Sequence, residues 1–187
     1  MSLDLAQCTD GELAALAVAG TQRAYTVLMQ RHREPIYRLV RSHVGDADEA
    51  LDVTQQSFVA AFTALKRYDS SRPFRVWLSR IAINKCHDWG RRRAVRRFFS
   101  FAAPIDEAQQ VADDSVPADA AISGSQELRA AMRAIASLPA NLKEPLILHA
   151  IENLSQAETA QALGISEKAV ETRVYRARLK LAELLRG

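Results

Sequence analysis

The chain has 187 residues, of which 48% are hydrophobic and 6% aromatic, with only 7 glycines and 6 prolines. That length accommodates one domain or two small ones, and the composition favours helices around a hydrophobic core. The net charge of +3 is modest, although an isoelectric point near 9.1 favours a polyanionic partner. No apolar run approaches the roughly 20 residues that span a bilayer, and no basic N-terminal segment precedes an apolar run. We therefore expect a cytoplasmic protein without direct membrane insertion.

The first half of the chain predicts successive helical segments. The "TDGE" of Thr9–Glu12 is a capping-box pattern that opens a short helix ending near Gly20. A second segment runs from about 22 to 44, and Pro35 within it is able to break or kink the helix. A third, about 47–66, begins with several acidic residues, which favour a helix N-terminus electrostatically.

The fourth segment, residues 72–93, mixes aromatic residues with cations and reads "RPFRVWLSRIAINKCHDWGRRR". On a helix, the apolar residues fall on one side and are predicted to be core: Phe74, Trp77, Leu78, Ile81, Ala82 and Trp89. The other side carries a polar stripe at spacings of four, three and four: Arg80, Asn84, His87 and Arg91. An asparagine amide both donates to and accepts from a base edge. We interpret the stripe as a nucleic-acid face, continued by a phosphate-binding end: Arg91, Arg92, Arg93, Arg96 and Arg97.

The loop before this helix carries polar and aromatic side chains close together. Residues 68–74 include Tyr68, two serines and Arg72. Single strands are bound by stacking combined with hydrogen bonds to exposed base edges. The loop therefore either captures an extruded base or simply connects two helices, and the sequence leaves both possibilities open.

Residues 98–126 differ in composition from their surroundings. They contain no lysine or arginine, five acidic residues and two prolines, which predicts a flexible acidic linker. The sequence therefore predicts an N-terminal helical domain over 1–97 and a smaller one over 127–187. A linker of this length reaches about 95 Å when fully extended, which exceeds the roughly 85 Å between duplex sites about 25 base pairs apart.

The segment "SQAETAQALGISEKAV" predicts a helix-turn-helix in the C-terminal domain. Ser155 and Glu158 form a capping box that starts one helix. Gly164 supplies the left-handed residue that ends it, and Ser166 caps the next. Two short helices joined by so tight a turn are typical of DNA-binding modules.

Helical spacing divides the second of these helices into two faces. One is apolar and predicted to be buried: Val170, Val174, Ala177, Leu181 and Leu184. The opposite face and its flanks are polar and suit a major groove and its phosphates: Lys168, Glu171, Thr172, Arg173, Tyr175, Arg176 and Arg178. The alternative is an ordinary solvated helix of a bundle.

Both halves of the chain resemble bacterial sigma factors of the extracytoplasmic-function group. The N-terminal match is "GDADEALDVTQQSFVAAFTALKRYDSSRPFRVWLSRIAINKCHDWGRRR", and the C-terminal match is "LPANLKEPLILHAIENLSQAETAQALGISEKAVETRVYRARLKLAELL". The resemblance implies an all-α protein of two domains that binds core RNA polymerase and promoter DNA without a cofactor. It also implies a role in promoter melting and control by an anti-sigma factor.

The resemblance assigns roles to particular residues. Asp52, Gln55 and Gln56 match the family's polymerase-docking pattern, although Gln56 stands where the family usually has glutamate. The family's asparagine associated with the melting -10 element corresponds to Asn84, and its base-capturing loop corresponds to residues 67–74. Together with the polar stripe, the expected -10 element surface is Tyr68, Arg72, Arg80, Asn84, His87, Arg91 and Arg92. The family reads the -35 element with the second helix of the helix-turn-helix, whose polar face here is Lys168, Glu171, Thr172, Arg173, Tyr175, Arg176 and Arg178. After Val170 the family commonly has lysine or arginine and then serine, so Glu171 stands where a cation is common; it either accepts a hydrogen bond from cytosine or tunes the helix charge.

Two other classes of function were weighed against this one. A conventional helix-turn-helix regulator with an N-terminal sensing domain would bind duplex DNA tightly by itself, but it leaves the Asn84 stripe unexplained. An enzyme would need a site, and the acidic start of the third segment near His43 matches no calcium loop, since no glycine holds the required turn position. Cys8 and Cys86 are far apart and predict free thiols rather than metal ligands. We expect neither enzymatic activity nor a metal.

Overall fold

The computed structural model describes residues 4–102 and 122–186, and every regular element within these ranges is helical. The helices are α1 (Asp10–Val18), α2 (Gln22–Val44), α3 (Ala47–Ala64), α4 (Phe74–Ala102), α5 (Ile122–Ser137), α6 (Ala140–Leu146), α7 (Gln156–Leu163) and α8 (Glu167–Leu184). A 3-10 turn, Leu65–Arg67, follows α3, and a π-helical turn, Ile147–Ile151, follows α6. The predicted all-α fold is confirmed. None of the described helices is long and apolar enough to cross a bilayer.

Local capping chemistry sets the ends of the N-terminal helices as the sequence predicts. The Glu12 backbone N–H donates to the Thr9 hydroxyl, while the Glu12 carboxylate accepts from the Thr9 backbone N–H at 2.7 Å. Gly45 ends α2 with a φ of 87°, a left-handed conformation that costs glycine nothing sterically. Helix α2 continues through Pro35 to Val44, so the break considered at this proline does not occur.

The apolar side of α4 packs into the core, as its spacing predicts. Phe74 and Leu78 are 2% and 0% exposed, and Trp89 is 8% exposed. The Trp89 indole N–H donates to Glu49 Oε2 at 2.7 Å, which satisfies the only polar group of the ring. Trp77 is half-buried, with its ring centroid 5.4 Å from that of Phe74. Because this side anchors α4 in the core, the opposite side faces outward on a rigid helix.

The acidic residues at the start of α3 have structural partners. Asp46 is the N-cap, and its Oδ1 accepts from the Glu49 backbone N–H at 2.9 Å. The Glu49 carboxylate accepts in turn from the Trp89 indole. Carboxylates at a helix N-terminus also interact favourably with the helix dipole. These contacts give Asp46 and Glu49 structural roles at the start of α3.

The C-terminal half contains the predicted helix-turn-helix in α7 and α8. Ser155 and Glu158 complete a second capping box, and Gly164 ends α7 in the left-handed region with a φ of 68°. The side chain of Ser166 then accepts from the Ala169 backbone N–H at 3.2 Å and starts α8. The predicted turn chemistry is therefore confirmed residue by residue.

The predicted buried face of α8 holds for most of its length. Val170, Val174 and Ala177 are at most 5% exposed, and Leu181 is half-buried. Leu184 is 45% exposed, so its predicted burial is wrong. The residues around it are exposed on all sides, because the last turn of α8 extends beyond the helices that cover its beginning.

The predicted linker is helical at both of its ends. Helix α4 extends to Ala102, and α5 begins at Ile122. The sequence offers no obstacle before Pro104, the first residue that lacks an N–H and restrains its predecessor to extended backbone. The remainder of the predicted flexible linker, residues 103–121, lies outside the described residues.

The two halves of the protein lie against each other. Helix α4 contacts α7, and α2 contacts both α5 and the π-helical turn. At the centre of this interface is Glu152, which is 2% exposed. Its carboxylate accepts hydrogen bonds from Arg38 Nη2 at 3.2 Å and from Arg75 Nη2 at 3.0 Å. The sequence predicts a tethered pair of domains and gives no indication of this closed arrangement.

Candidate nucleic-acid and polymerase interfaces

The polar stripe of α4 lies on the side of the helix that faces away from the core. Arg80 and Asn84 are exposed. Arg91 is exposed and forms an ion pair with Asp88 one turn earlier. His87 is half-exposed, and its Nε2 contacts a carboxylate of the C-terminal half. Three of the four stripe residues thus face solvent, whereas the fourth lies at the contact between the domains.

The loop before α4 is held by an aromatic cluster. The Tyr68 ring packs against Phe74 and Trp77, with centroid distances of 5.2 and 5.1 Å. Its hydroxyl donates to the Arg72 carbonyl at 2.6 Å, and burial raises the pKa of Tyr68 above its ordinary value, which keeps that proton in place. Tyr68 therefore fixes the shape of the loop, and the Arg72 side chain remains exposed beside Asp69 at 3.4 Å.

The arginine-rich end of α4 is held partly by α3. Arg92 Nη2 donates to Gln56 Oε1 at 3.0 Å, and the Arg93 guanidinium lies 5.1 Å from the centre of the Trp89 ring. Both arginines remain exposed. A guanidinium above an aromatic face is stabilised by the ring quadrupole. The helix thus presents a cluster of positive charge in a defined orientation, which suits a phosphate backbone.

Asp52, Gln55 and Gln56 are all exposed on α3, in agreement with a role in docking. Beside them is an apolar groove between α2 and α3, lined by Met29, Arg33, Leu51, Thr54, Gln55, Phe58, Val59 and Phe62. Val59 is 67% exposed and Leu51 46% exposed. Exposed apolar surface next to polar residues is typical of protein interaction sites.

The sequence analysis did not identify this groove. Val59 and Leu51 belong to the same helix as the buried Val53, Phe58 and Ala61. The available signal was that apolar residues occupy more of α3 than one buried face requires. The polar residues at 52, 55 and 56 interrupt this apolar surface in the sequence, so the groove is not evident from spacing along α3 alone.

The recognition face of α8 is directed outward as predicted. Tyr175 is 64% exposed, and Lys168, Arg176 and Arg178 are exposed as well, whereas Thr172 and Arg173 are half-buried. The Thr172 hydroxyl donates to the Lys168 carbonyl of its own helix at 2.9 Å. Hydroxyl, phenol and guanidinium groups on one side of a helix can meet the donors and acceptors of a major groove.

Glu171 has a partner within the helix. Lys168 Nζ lies 2.8 Å from Glu171 Oε2, and both side chains are mostly exposed. An exposed pair at this spacing stabilises a helix only slightly. Glu171 therefore offsets the charge of Lys168 in the free protein, while its carboxylate remains accessible at the same face.

Comparisons with known proteins find matches to both halves of the chain. The family profile described as "Sigma-70 region 2" matches residues 28–96, and "Sigma-70, region 4" matches residues 128–181. The RNA polymerase sigma factor CnrH of Cupriavidus metallidurans is 40% identical over 179 residues, covering 94% of each chain. The ECF RNA polymerase sigma factor SigM of Mycobacterium tuberculosis is 31% identical over 177 residues, covering 95% of this chain and 85% of the relative.

A solved structure shows the same arrangement of helices. The structure of CnrH in complex with the cytosolic domain of CnrY matches with a TM-score of 0.68 and 36% sequence identity. The match covers 94% of this chain and 96% of that chain. The fold of both halves of the protein is therefore shared with that protein.

Proposed function

The chain belongs to the extracytoplasmic-function sigma factors of RNA polymerase, and from that premise we propose how its surfaces divide the work of transcription initiation. An N-terminal domain over 1–97 docks on core polymerase and engages the -10 element, and a C-terminal domain over 127–187 engages the -35 element. The main support for this proposal is that two helices of the chain, α4 and α8, each expose a polar face to solvent.

Polymerase docking is assigned to α3 and the groove beside it. Asp52, Gln55 and Gln56 supply polar contacts, and the apolar groove at Leu51 and Val59 supplies the burial that stabilises a protein interface. Buried apolar area at the centre with polar residues at the rim is the usual arrangement of such interfaces. The Gln56 amide, already bonded to Arg92, provides no charge where a glutamate would.

The -10 element is assigned to the exposed stripe of α4 and the loop before it. Asn84 and Arg80 contact base edges of the melting strand, and Arg91 and Arg92 bind its phosphates. The loop held by Tyr68 presents Arg72 beside the stripe. A prearranged loop loses little conformational entropy on binding, which favours capture of an unstacked base.

The -35 element is assigned to α8. Tyr175, Arg176 and Lys168 are exposed and enter the major groove of duplex DNA, and Arg173 and Arg178 bind phosphates at its edges. Bidentate contacts of arginine to guanine are the commonest specific contacts in a major groove. The chemistry is recognition rather than catalysis, so the protein acts as an initiation factor and not as an enzyme, in the cytoplasm where polymerase works.

Regulation by an anti-sigma factor is proposed from the solved relative. CnrH is bound by the cytosolic domain of CnrY, and this chain shares its fold at 36% identity. An apolar helix of such a partner fits the exposed groove between α2 and α3, which is also the proposed polymerase surface. Competition for one surface would keep the factor inactive until the partner is removed.

The deciding experiment is co-elution of the purified chain with bacterial core RNA polymerase on a sizing column, with duplex DNA binding by the free chain measured in parallel. Stable co-elution together with weak binding of free chain to DNA is the expected result. A helix-turn-helix regulator with a sensing domain is disfavoured by the region 2 match. Tight duplex binding without co-elution would restore that alternative and overturn the assignment of α3.

A further inference from the structure

Three side chains with metal-binding chemistry converge where the two domains meet. His43 on α2 places its Nε2 3.4 Å from Glu144 Oε1 on α6. His87 on α4 places its Nε2 2.5 Å from the same oxygen. One potential ligand atom from each residue lies within 4.8 Å of the others. Two imidazoles and a carboxylate thus come from three helices and both domains.

Glu144 is shared between the two histidines. Among the described residues, both imidazole rings hydrogen-bond to Glu144, and the second ring nitrogen of His43, Nδ1, is buried without a hydrogen-bond partner. Both imidazoles and the carboxylate are therefore close enough to bind one ion together. Two histidines and one carboxylate, with a fourth position for water, form a known ligand set for Zn²⁺, and imidazole also suits Cu²⁺ and Ni²⁺.

Burial and ionisation suit this chemistry. His43 and Glu144 are 7% and 8% exposed, whereas the His87 side chain is 39% exposed and offers a route from solvent. Burial lowers the pKa of His43, which keeps its ring neutral and able to coordinate. Burial alone would raise the pKa of Glu144, but hydrogen bonds from both histidines lower it below its ordinary value. Metal ligands must be in these deprotonated states.

Two neighbouring groups limit the site. Lys143 is buried, and its ammonium donates to the carbonyls of His43 at 3.0 Å and Ala136 at 2.8 Å. The positive charge of Lys143 repels a metal cation and therefore lowers the affinity of the site for it. Cys86 precedes His87, and burial raises the pKa of its thiol to about 12, which keeps the thiol protonated in the metal-free protein.

We propose that His43, His87 and Glu144 form a binding site for a divalent transition-metal ion of the zinc class, which clamps the two domains together. A bound ion would hold His87, a residue of the proposed -10 surface, against the C-terminal domain. Its occupancy would therefore favour the closed form, in which His87 is partly covered. That consequence rests on the proposed function of α4, whereas the binding site itself does not.

The test is calorimetric titration of Zn²⁺ into the full chain after removal of metal with a chelator. One equivalent is expected to bind the wild type, and binding is expected to weaken more than tenfold in His87→Gln and in Glu144→Gln, since each removes one ligand. His149→Gln is the matched control, because His149 bonds to the Leu154 carbonyl outside the cluster. It is expected to bind Zn²⁺ as the wild type does.

Titration of Co²⁺ gives a second measurement on the same proteins, because a tetrahedral site with nitrogen ligands has a distinctive visible absorption. Loss of that absorption in His87→Gln, with unchanged circular dichroism, is expected. His87 is half-exposed, so this variant remains informative even if Glu144→Gln fails to fold. No binding by the wild type, or equal binding by His87→Gln and the wild type, overturns the proposal. Neither measurement uses polymerase or promoter DNA, so the site can fail while the proposed function stands.

Discussion

Asn84 is the residue whose side chain best distinguishes base recognition from packing. It is exposed on α4, while its neighbours Ala82 and Ile83 are 0% and 5% exposed. We expect Asn84→Ala to reduce promoter opening and to leave polymerase binding and stability unchanged, because its amide contacts no buried group. Permanganate footprinting of the melted region measures opening, and Lys85→Ala is the control for loss of polarity nearby. Impaired co-elution with polymerase would instead give Asn84 a structural role.

A substitution at Arg176 tests base recognition on duplex DNA, as the one at Asn84 does on the melted strand. Its side chain is exposed on α8 beside Tyr175. We expect Arg176→Ala to lose discrimination at one base pair of the -35 element, by about 1–3 kcal/mol. Competition binding of the holoenzyme to promoters that differ at single -35 positions measures this loss. Lys180→Ala, an exposed cation one turn later, should weaken binding equally on all sequences. A uniform loss in Arg176→Ala too would mean that it contacts phosphate.

His32 gives the N-terminal domain a predictable dependence on pH. It is 7% exposed, and burial lowers its pKa, opposed by Asp10 at 2.7 Å and assisted by the charges of Arg75 and Arg31. A buried base with a lowered pKa takes up its proton more readily in the unfolded chain. The contribution of neutral His32 to the stability of the fold is therefore complete above pH 6.5, the ordinary pKa of histidine. It is lost as the pH falls from that value towards the lowered pKa of His32 in the folded protein.

We therefore expect the midpoint temperature of unfolding to decrease when the pH is lowered from about 7.5 to about 5.5. The decrease should be smaller in His32→Gln. Differential scanning calorimetry at both pH values measures the slope. A residual slope remains in the variant, since burial also lowers the pKa of His43. An unchanged slope in His32→Gln would mean that Asp10 compensates fully for the burial of His32.

At the scale of elements, the groove between α2 and α3 is the feature to test. Val59 is 67% exposed at its edge, so a carboxylate there meets no core residue in the free protein. We expect Val59→Asp to abolish co-elution with core polymerase and to change stability by less than about 0.5 kcal/mol. Val18→Asp is the matched control, as this valine is 41% exposed on α1. Normal co-elution of Val59→Asp would remove the groove from the docking surface.

The sequence predicts the helices themselves well because their ends depend on nearby residues. Thr9, Gly45 and Ser155 act on groups within four positions, and the observed caps follow their chemistry. Leu184 was misassigned because periodicity along a helix does not tell how far the neighbouring helices extend. The same holds for the groove at Val59, where exposure depends on what α2 leaves uncovered.

At the scale of the whole molecule, the closed arrangement depends on pairs that no sequence spacing can suggest. Arg38 and Arg75 meet Glu152 across 114 and 77 residues. Residues 98–126 contain no lysine or arginine, but this composition cannot tell whether the domains on either side attract each other. The candidate -10 surface was therefore predicted, whereas its partial coverage at His87 was not.

Glu152 is the residue on which this closure can be tested. Its carboxylate is buried, while the Arg38 and Arg75 side chains are 45% and 33% exposed. Removing the carboxylate leaves arginines that water can still solvate, so we expect Glu152→Ala to weaken the contact by about 1.5–3 kcal/mol, as for a hydrogen bond to a charged group. The matched control is Glu34→Ala, which removes an exposed carboxylate 3.9 Å from the same Arg38 and should cost at most about 1 kcal/mol.

The measurement is the radius of gyration of the free chain by small-angle X-ray scattering. We expect the radius to increase in Glu152→Ala and to stay unchanged in Glu34→Ala, while each domain keeps its helical circular dichroism. Because His87 contacts Glu144 of α6 in the closed form, opening also exposes His87, and the open variant should associate faster with core polymerase and promoter DNA. An unchanged radius would mean that the apolar contacts between α2, α4 and the C-terminal helices hold the domains together without this buried ion pair.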